Sequence, residues 1–176
     1  MEVYVFKNKL SIEYSDMNRV GRLNHVEIDN WNGIPDTFRK QKKIVGDIKN
    51  PSSLIQFCDM AEIETAEQLK ATKPEYYWQL VSNAILTGVD DAELIFYVPY
   101  YSELKKIYDF VDEISDEDLP RGLSLFQIEW ICHEIRGLTD LDKEPSIPYL
   151  PNESDYKDLN IFQFKIPQED KDILTE

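Results

Sequence analysis

Residues 33–49 read Gly33-Ile34-Pro35-Asp36-Thr37-Phe38-Arg39-Lys40-Gln41-Lys42-Lys43-Ile44-Val45-Gly46-Asp47-Ile48-Lys49, and their pattern decides the fold. The branched apolar residues of Ile44–Lys49 indicate a buried strand, and the polar run 39–43 reads as the turn that returns the chain to it. The two flanks therefore pair as a hairpin. Side chains two apart on a strand share a face, so Asp47 and Lys49 point the same way, and a hairpin partner brings Asp36 beside them. Val45, Gly46 and Ile48 mark the segment as central, where charged groups are seldom placed without a partner or a metal.

The elements around this hairpin alternate in type. Upstream, Glu2–Phe6 alternates as a short strand, and residues 25–31 carry strand periodicity that Asn32-Gly33 is expected to break. Downstream, Asn50-Pro51-Ser52-Ser53 ends the strand and offers a serine cap to a helix from Leu54, with Leu54, Ile55 and Phe57 as its apolar contacts. Residues 62–72 read as a mobile loop or a short helix. From Pro74 to Gly88, Tyr77, Leu80, Val81, Ala84 and Ile85 recur at three and four, the stripe of an amphipathic helix closed by glycine. Ala92–Pro99 reads as a strand, 101–113 as a helix, 125–135 as either, and 140–158 as an extended connection carrying Pro145, Pro148 and Pro151. Ile161–Ile166 alternates as a strand, and Pro167 can open a last helical turn. The expected class is α/β (α+β), a central mixed sheet flanked by helices. One domain is expected over residues 1–176, with a motif-bearing core at about 25–100 and an acidic part at 101–176.

The chain has 176 residues, 42% of them hydrophobic, enough for one sizeable core. No stretch is apolar enough for a membrane span and the start lacks the apolar segment of a signal peptide, so a soluble cytoplasmic protein is expected. Cys58 and Cys132 match no zinc or disulfide spacing and read as small buried hydrophobes. His25 and His133 have no partner at ligand spacing and read as structural. The net charge of −15 argues against a simple nucleic-acid binder, but its distribution is uneven. Residues 1–85 carry 11 basic and 12 acidic side chains, whereas residues 86–176 carry 8 and 22. Arg39, Lys40, Lys42 and Lys43 form the concentrated positive run, a candidate contact for DNA phosphates or simply a solvated hairpin tip.

Asp36 and Asp47, converging near the main-chain carbonyl of Ile48, make a hard oxygen site suited to Mg²⁺ or Mn²⁺. A metal-bound water of lowered pKa can attack a phosphodiester, and the Lys49 ammonium can orient it or meet charge developing on phosphate. Taken singly, each residue has an ordinary explanation. Asp36 follows a proline in a turn-rich stretch, Asp47 and Lys49 are a plausible strand pair, and Gln79 could bond the sheet from its helix. Tyr76, Tyr77 and Trp78 could stack on bases, although such clusters are more often packing.

Together these motifs resemble the PD-(D/E)XK nucleases. Gly33-Ile34-Pro35-Asp36 with Asp47-Ile48-Lys49 is similar to their paired motifs. Tyr76-Tyr77-Trp78-Gln79-Leu80 with Thr87-Gly88 resembles the helix of the lambda exonuclease and YqaJ-type phage recombination branch. The resemblance covers about residues 25–100. It implies a restriction-endonuclease-like core, Asp36 and Asp47 as metal ligands, Lys49 as the catalytic lysine and Gln79 as a polar group directed into the site. It further implies DNA as substrate, end processing in recombination or repair, a single-strand-annealing partner and a homo-oligomer. Family members also supply a glutamate from an upstream helix; only 32 residues precede Gly33 here, and Glu13 is the best-placed candidate ligand. That departure motivates an alternative, a catalytically weak relative that binds DNA or a recombination partner. The acidic second half motivates a third, a protein that mimics the charge of DNA.

Overall fold

A computed structural model describes residues 1–10, 26–28, 31–33, 35–114, 124–140, 142–143 and 145–175. In chain order the elements are α1 (Glu2–Asn8), β1 (Val26–Ile28), β2 (Trp31–Gly33), β3 (Thr37–Arg39), β4 (Ile44–Lys49), α2 (Leu54–Ala61), α3 (Ala66–Thr72) and α4 (Pro74–Thr87). There follow β5 (Asp91–Tyr97), α5 (Leu104–Phe110) behind a short 3-10 turn, α6 (Leu125–Thr139), β6 (Leu159–Lys165) and α7 (Gln168–Thr175). The main sheet has the order β3-β4-β5-β6, in which β4 and β5 are parallel and the other two pairings antiparallel. A chain that makes a parallel pair needs a long crossover, and α2, α3 and α4 supply it. The class is α/β with a mixed sheet flanked by helices, as the alternation of elements implies.

Strand periodicity divides the core into two faces. Val45, Ala92, Leu94 and Phe96 pack with Phe57, Leu80, Val81 and Ala84 from α2 and α4. Ile48, Ile95 and Tyr97 face the other way and pack with Tyr4, Val5 and Ile107. Local signals set the element ends. Ser53 caps α2 by accepting a bond from Gln56 N, Thr65 and Gln68 form a capping box on α3, and Gly88 closes α4 in the left-handed conformation at φ 67°. The C-terminal α7 is tied to α4 and to the connection that leads into β5: Tyr77 Oη donates to Asp170 at 2.5 Å, and Lys171 Nζ donates to Val89 O at 2.6 Å and to Asp90 at 2.5 Å.

Several expectations are corrected. Glu2–Asn8 is helical, with Val5 N bonded to Met1 O at 3.0 Å and Lys9 N to Val5 O at 2.9 Å. Burial of Tyr4 and Val5 against the sheet, together with Lys9 paired to Glu103 and Asp158, outweighs the weak strand preference of five residues. Asn32-Gly33 does not break a strand but belongs to β2, which pairs with β1. The glycine is there for close approach: a Cβ at Gly33 would lie 2.5 Å from Leu86 Cδ1 of α4. In α2 the buried residues are Phe57 and Met60, while Leu54 and Ile55 are exposed; Ile55, two residues from Phe57, falls on the opposite side of the helix. Cys58 and Cys132 are free and only half-buried. Residues 125–139 are a helix, on which His133 is exposed. No helix among the described residues is long and apolar enough to cross a membrane.

Candidate active site

The β3–β4 hairpin pairs Thr37 with Gly46, so the same register continued by one residue sets Asp36 opposite Asp47. Asp36 Oδ2 accepts a bond from Ile48 N at 2.7 Å, which fixes the carboxylate against β4 just beyond the end of β3. The N–H and C=O of one residue in an extended strand point to the same edge, so the Ile48 carbonyl is directed toward Asp36 as well. Asp47 is 1% exposed. It lies on the α4 face of the sheet, because its neighbour in the alternation, Val45, packs with Leu80 and Val81.

Helix α4 delivers Gln79 to the same point. Gln79 Nε2 donates to Asp47 Oδ1 at 3.0 Å, and Lys49 Nζ donates to Gln79 Oε1 at 2.9 Å. The amide thus gives its donor to the carboxylate and its acceptor to the ammonium, the orientation that both charges favour. Lys49 Nζ also lies 2.5 Å from Asp47 Oδ2 and 5.2 Å from the centroid of the Tyr76 ring. Its side chain retains 20% exposure, so the ammonium sits at the mouth of the site while the carboxylate lies at its base. Asp47 Oδ2, although buried, accepts no hydrogen bond of good geometry; the close Lys49 charge is what balances it.

An oxygen-seeking divalent cation fits this donor set. Asp36, the buried Asp47 Oδ2 and the Ile48 carbonyl offer two carboxylates and one neutral oxygen, and Mg²⁺ commonly takes few protein ligands and keeps several waters. Among the described residues no group of three or more His, Cys, Asp or Glu side chains converges, and Glu13 lies outside them. The structure therefore brings together Asp36, Asp47, Ile48, Lys49 and Gln79.

The basic run separates into two environments. Arg39 is not a surface contact: it is 6% exposed and its guanidinium pairs with the buried Glu93 at 2.5 Å. Arg39 has the strand parity of Thr37, opposite to that of Asp36, and therefore lies under the sheet rather than at the site. Lys40, Lys42 and Lys43 are exposed at the turn. Lys43, the last residue of the four-residue connection 40–43, has φ 56°, a left-handed conformation that glycine adopts freely and that costs a lysine about 1 kcal/mol. The Lys49 contact of Tyr76 went unread in the sequence, where Tyr76 counted as base stacking or packing. Its spacing from Gln79, three residues on one helix, was the available signal.

No family model matches the chain, and no curated protein matches it. Among solved structures it is similar to a phage-related exonuclease from Haemophilus somnus 129PT, with 10% identity and a TM-score of 0.47. That alignment covers 99% of this chain and 60% of the exonuclease, so the chain spans about three fifths of that protein's length.

Proposed function

We propose that this chain is a divalent-metal-dependent deoxyribonuclease of the PD-(D/E)XK type, acting on DNA ends. The observation that carries the reading is the buried Asp47 carboxylate bridged by Gln79 to the partly exposed Lys49, with Asp36 beside it just before the neighbouring strand. Two acids and one ammonium on a rigid hairpin, braced by a helix, are the groups that phosphodiester hydrolysis requires.

Asp36, Asp47 and the Ile48 carbonyl would hold Mg²⁺ or Mn²⁺. The ion supplies a water of lowered pKa and positive charge at the phosphate. Lys49, at the mouth of the site, donates to a non-bridging phosphate oxygen or to the attacking water, and so opposes the charge that develops as the new P–O bond forms. Gln79 holds that ammonium and the Asp47 carboxylate in fixed relation, so little reorganisation is needed on reaching the transition state. Lys40, Lys42 and Lys43 stand on the turn at the other end of β4, about 16 Å away at 3.3 Å per residue, within reach of the backbone of a bound strand.

Cleavage of 5′- and 3′-labelled linear duplex DNA in Mn²⁺ tests the reading. The wild type should degrade it, and Asp36→Ala, Asp47→Ala and Lys49→Ala, each folded, should lose at least a hundredfold. The reading fails if the wild type leaves linear, nicked and single-stranded DNA intact while a control nuclease degrades them. A second reading draws on the two-carboxylate donor set and on the existing Lys49–Asp47 pair, which already balances Asp47: a relative that binds DNA without cutting it. Binding that persists in chelator, with no cleavage in any metal, is its signature. A single-strand-annealing partner and a homo-oligomer belong to the same proposal through the family resemblance.

A further inference from the structure

Lys49 has three contacts, of which the two polar ones, Asp47 and Gln79, both draw the ammonium inward toward the sheet. The third is the face of the Tyr76 ring, 5.2 Å from Nζ to the centroid. Tyr76 and Gln79 are one helical turn apart on α4 and present neighbouring side chains to the end of β4. The Tyr76 side chain is half-buried and packs against the main core, so its ring is held in place from behind. An aromatic face attracts a cation through its quadrupole without accepting a hydrogen bond, so it can hold an ammonium in position while leaving its protons for other acceptors.

We propose that Tyr76 is a positioning residue for Lys49: its ring face holds the ammonium at the mouth of the site, where the phosphate arrives. The inference rests on the nuclease reading for its consequence in catalysis, but the contact itself exists without DNA or metal. Ring electron density, rather than the hydroxyl, is the operative property, so phenylalanine substitutes for tyrosine and leucine does not. The ammonium acts on charge that appears in the transition state, so loss of its positioning lowers kcat and leaves KM nearly unchanged.

Two measurements on the full chain test this. In metal-free, DNA-free protein carrying ¹³C-labelled lysine, the Lys49 ε-methylene signal, identified by its absence in Lys49→Arg, is shifted upfield by the ring current. Tyr76→Phe should keep that shift and Tyr76→Leu should abolish it. In the cleavage assay Tyr76→Leu should lower kcat about three- to tenfold, the range of one partly desolvated cation–π contact, and Tyr76→Phe should restore it. An unshifted Lys49 signal in the wild type, or equal kcat in the Leu and Phe variants, overturns the proposal. If the wild type cuts no DNA, the nuclease reading has failed, and the lysine spectrum alone decides whether Tyr76 holds the ammonium.

Discussion

Replacing Lys49 by methionine should destabilise the protein for a reason specific to this site. The long apolar stem is kept, so packing along β4 changes little, and what disappears is the charge 2.5 Å from Asp47 Oδ2. Asp47 is 1% exposed and then has Gln79 Nε2, at 3.0 Å, as its remaining side-chain donor. Removing one partner of a fully buried ion pair costs about 3–5 kcal/mol. Here the lysine end is 20% exposed and water can enter in its place, so the expectation is about 1–3 kcal/mol. Asp47→Asn should be close to neutral, because it removes the buried charge and keeps a group that Gln79 can bond. The double variant should recover most of what Lys49→Met loses, a coupling of about 1–3 kcal/mol in a double-mutant cycle. Urea unfolding at pH 7 in chelator, read at constant m, gives all four values. Added Mg²⁺ should then raise the midpoint of Lys49→Met and leave Asp47→Asn unmoved, since an ion bound only by the folded state stabilises it by about 2.7 kcal/mol at a hundred times its Kd. A Lys49→Met protein as stable as the wild type in chelator would refute the argument that Lys49 balances a buried carboxylate.

Gly46→Ala should destabilise by about 1–3 kcal/mol in the same unfolding assay, because the new Cβ would overlap Thr37 Oγ1 and lie 2.8 Å from Glu93 Cγ, both fully buried; an unchanged midpoint would show that β3 can move aside. Lys43→Gly should relieve the left-handed strain at φ 56° and raise stability by about 1 kcal/mol, while the slope of log K for duplex DNA against log salt shrinks by about 0.9 for the lost phosphate contact; an unaltered slope removes Lys43 from the interface. The link between α4 and α7 should be pH-sensitive at both ends. Burial raises the Asp170 pKa, but hydrogen bonds from Lys70 and Tyr77 with the Lys70 charge outweigh it and hold the group below its ordinary value. A depressed acid contributes stability above its unfolded pKa of about 3.9, lost as pH falls through the folded value, so the advantage of wild type over Asp170→Asn should shrink below about pH 4. Burial and the Asp170 partner raise the Tyr77 pKa, so that contribution is complete below about pH 10 and fades only as pH rises toward the folded value. Unfolding midpoints of the pair across pH check both limbs.

Where one local signal had one structural meaning, the fold was legible. Apolar residues at three and four with a closing glycine fixed α4, a serine before Leu54 fixed the start of α2, and branched residues around Asp47 fixed a buried strand. The misread segments are those in which tertiary contact decides. Glu2–Phe6 alternates, yet five residues cannot separate a strand from a helix until Tyr4 and Val5 have a sheet to pack on. Gly33 looked like a break because glycine weakens strands; here it permits β2 to lie against Leu86, a residue more than fifty positions away.

The site was legible for a different reason, and Arg39 shows the limit of that reason. Asp36, Asp47 and Lys49 were readable because hairpin register and strand parity convert sequence separation into spatial adjacency without any knowledge of the rest of the chain. Parity also separates Arg39 from Asp36, but the sequence offered it as one cation among four in a polar run, and only the buried Glu93 on β5 reveals its partner. The same sheet therefore carries two charge systems on opposite faces: Arg39 of β3 with Glu93 of β5 sealed beneath Gly46, and Asp47 with Lys49 of β4 opening to solvent. The sealed pair explains why Gly46 must lack a side chain, and the open pair explains why a carboxylate can be buried here at all. Of the two, the open pair keeps its cation at 20% exposure while both members of the sealed pair are buried, so the proposed chemistry falls on the α4 face of the sheet.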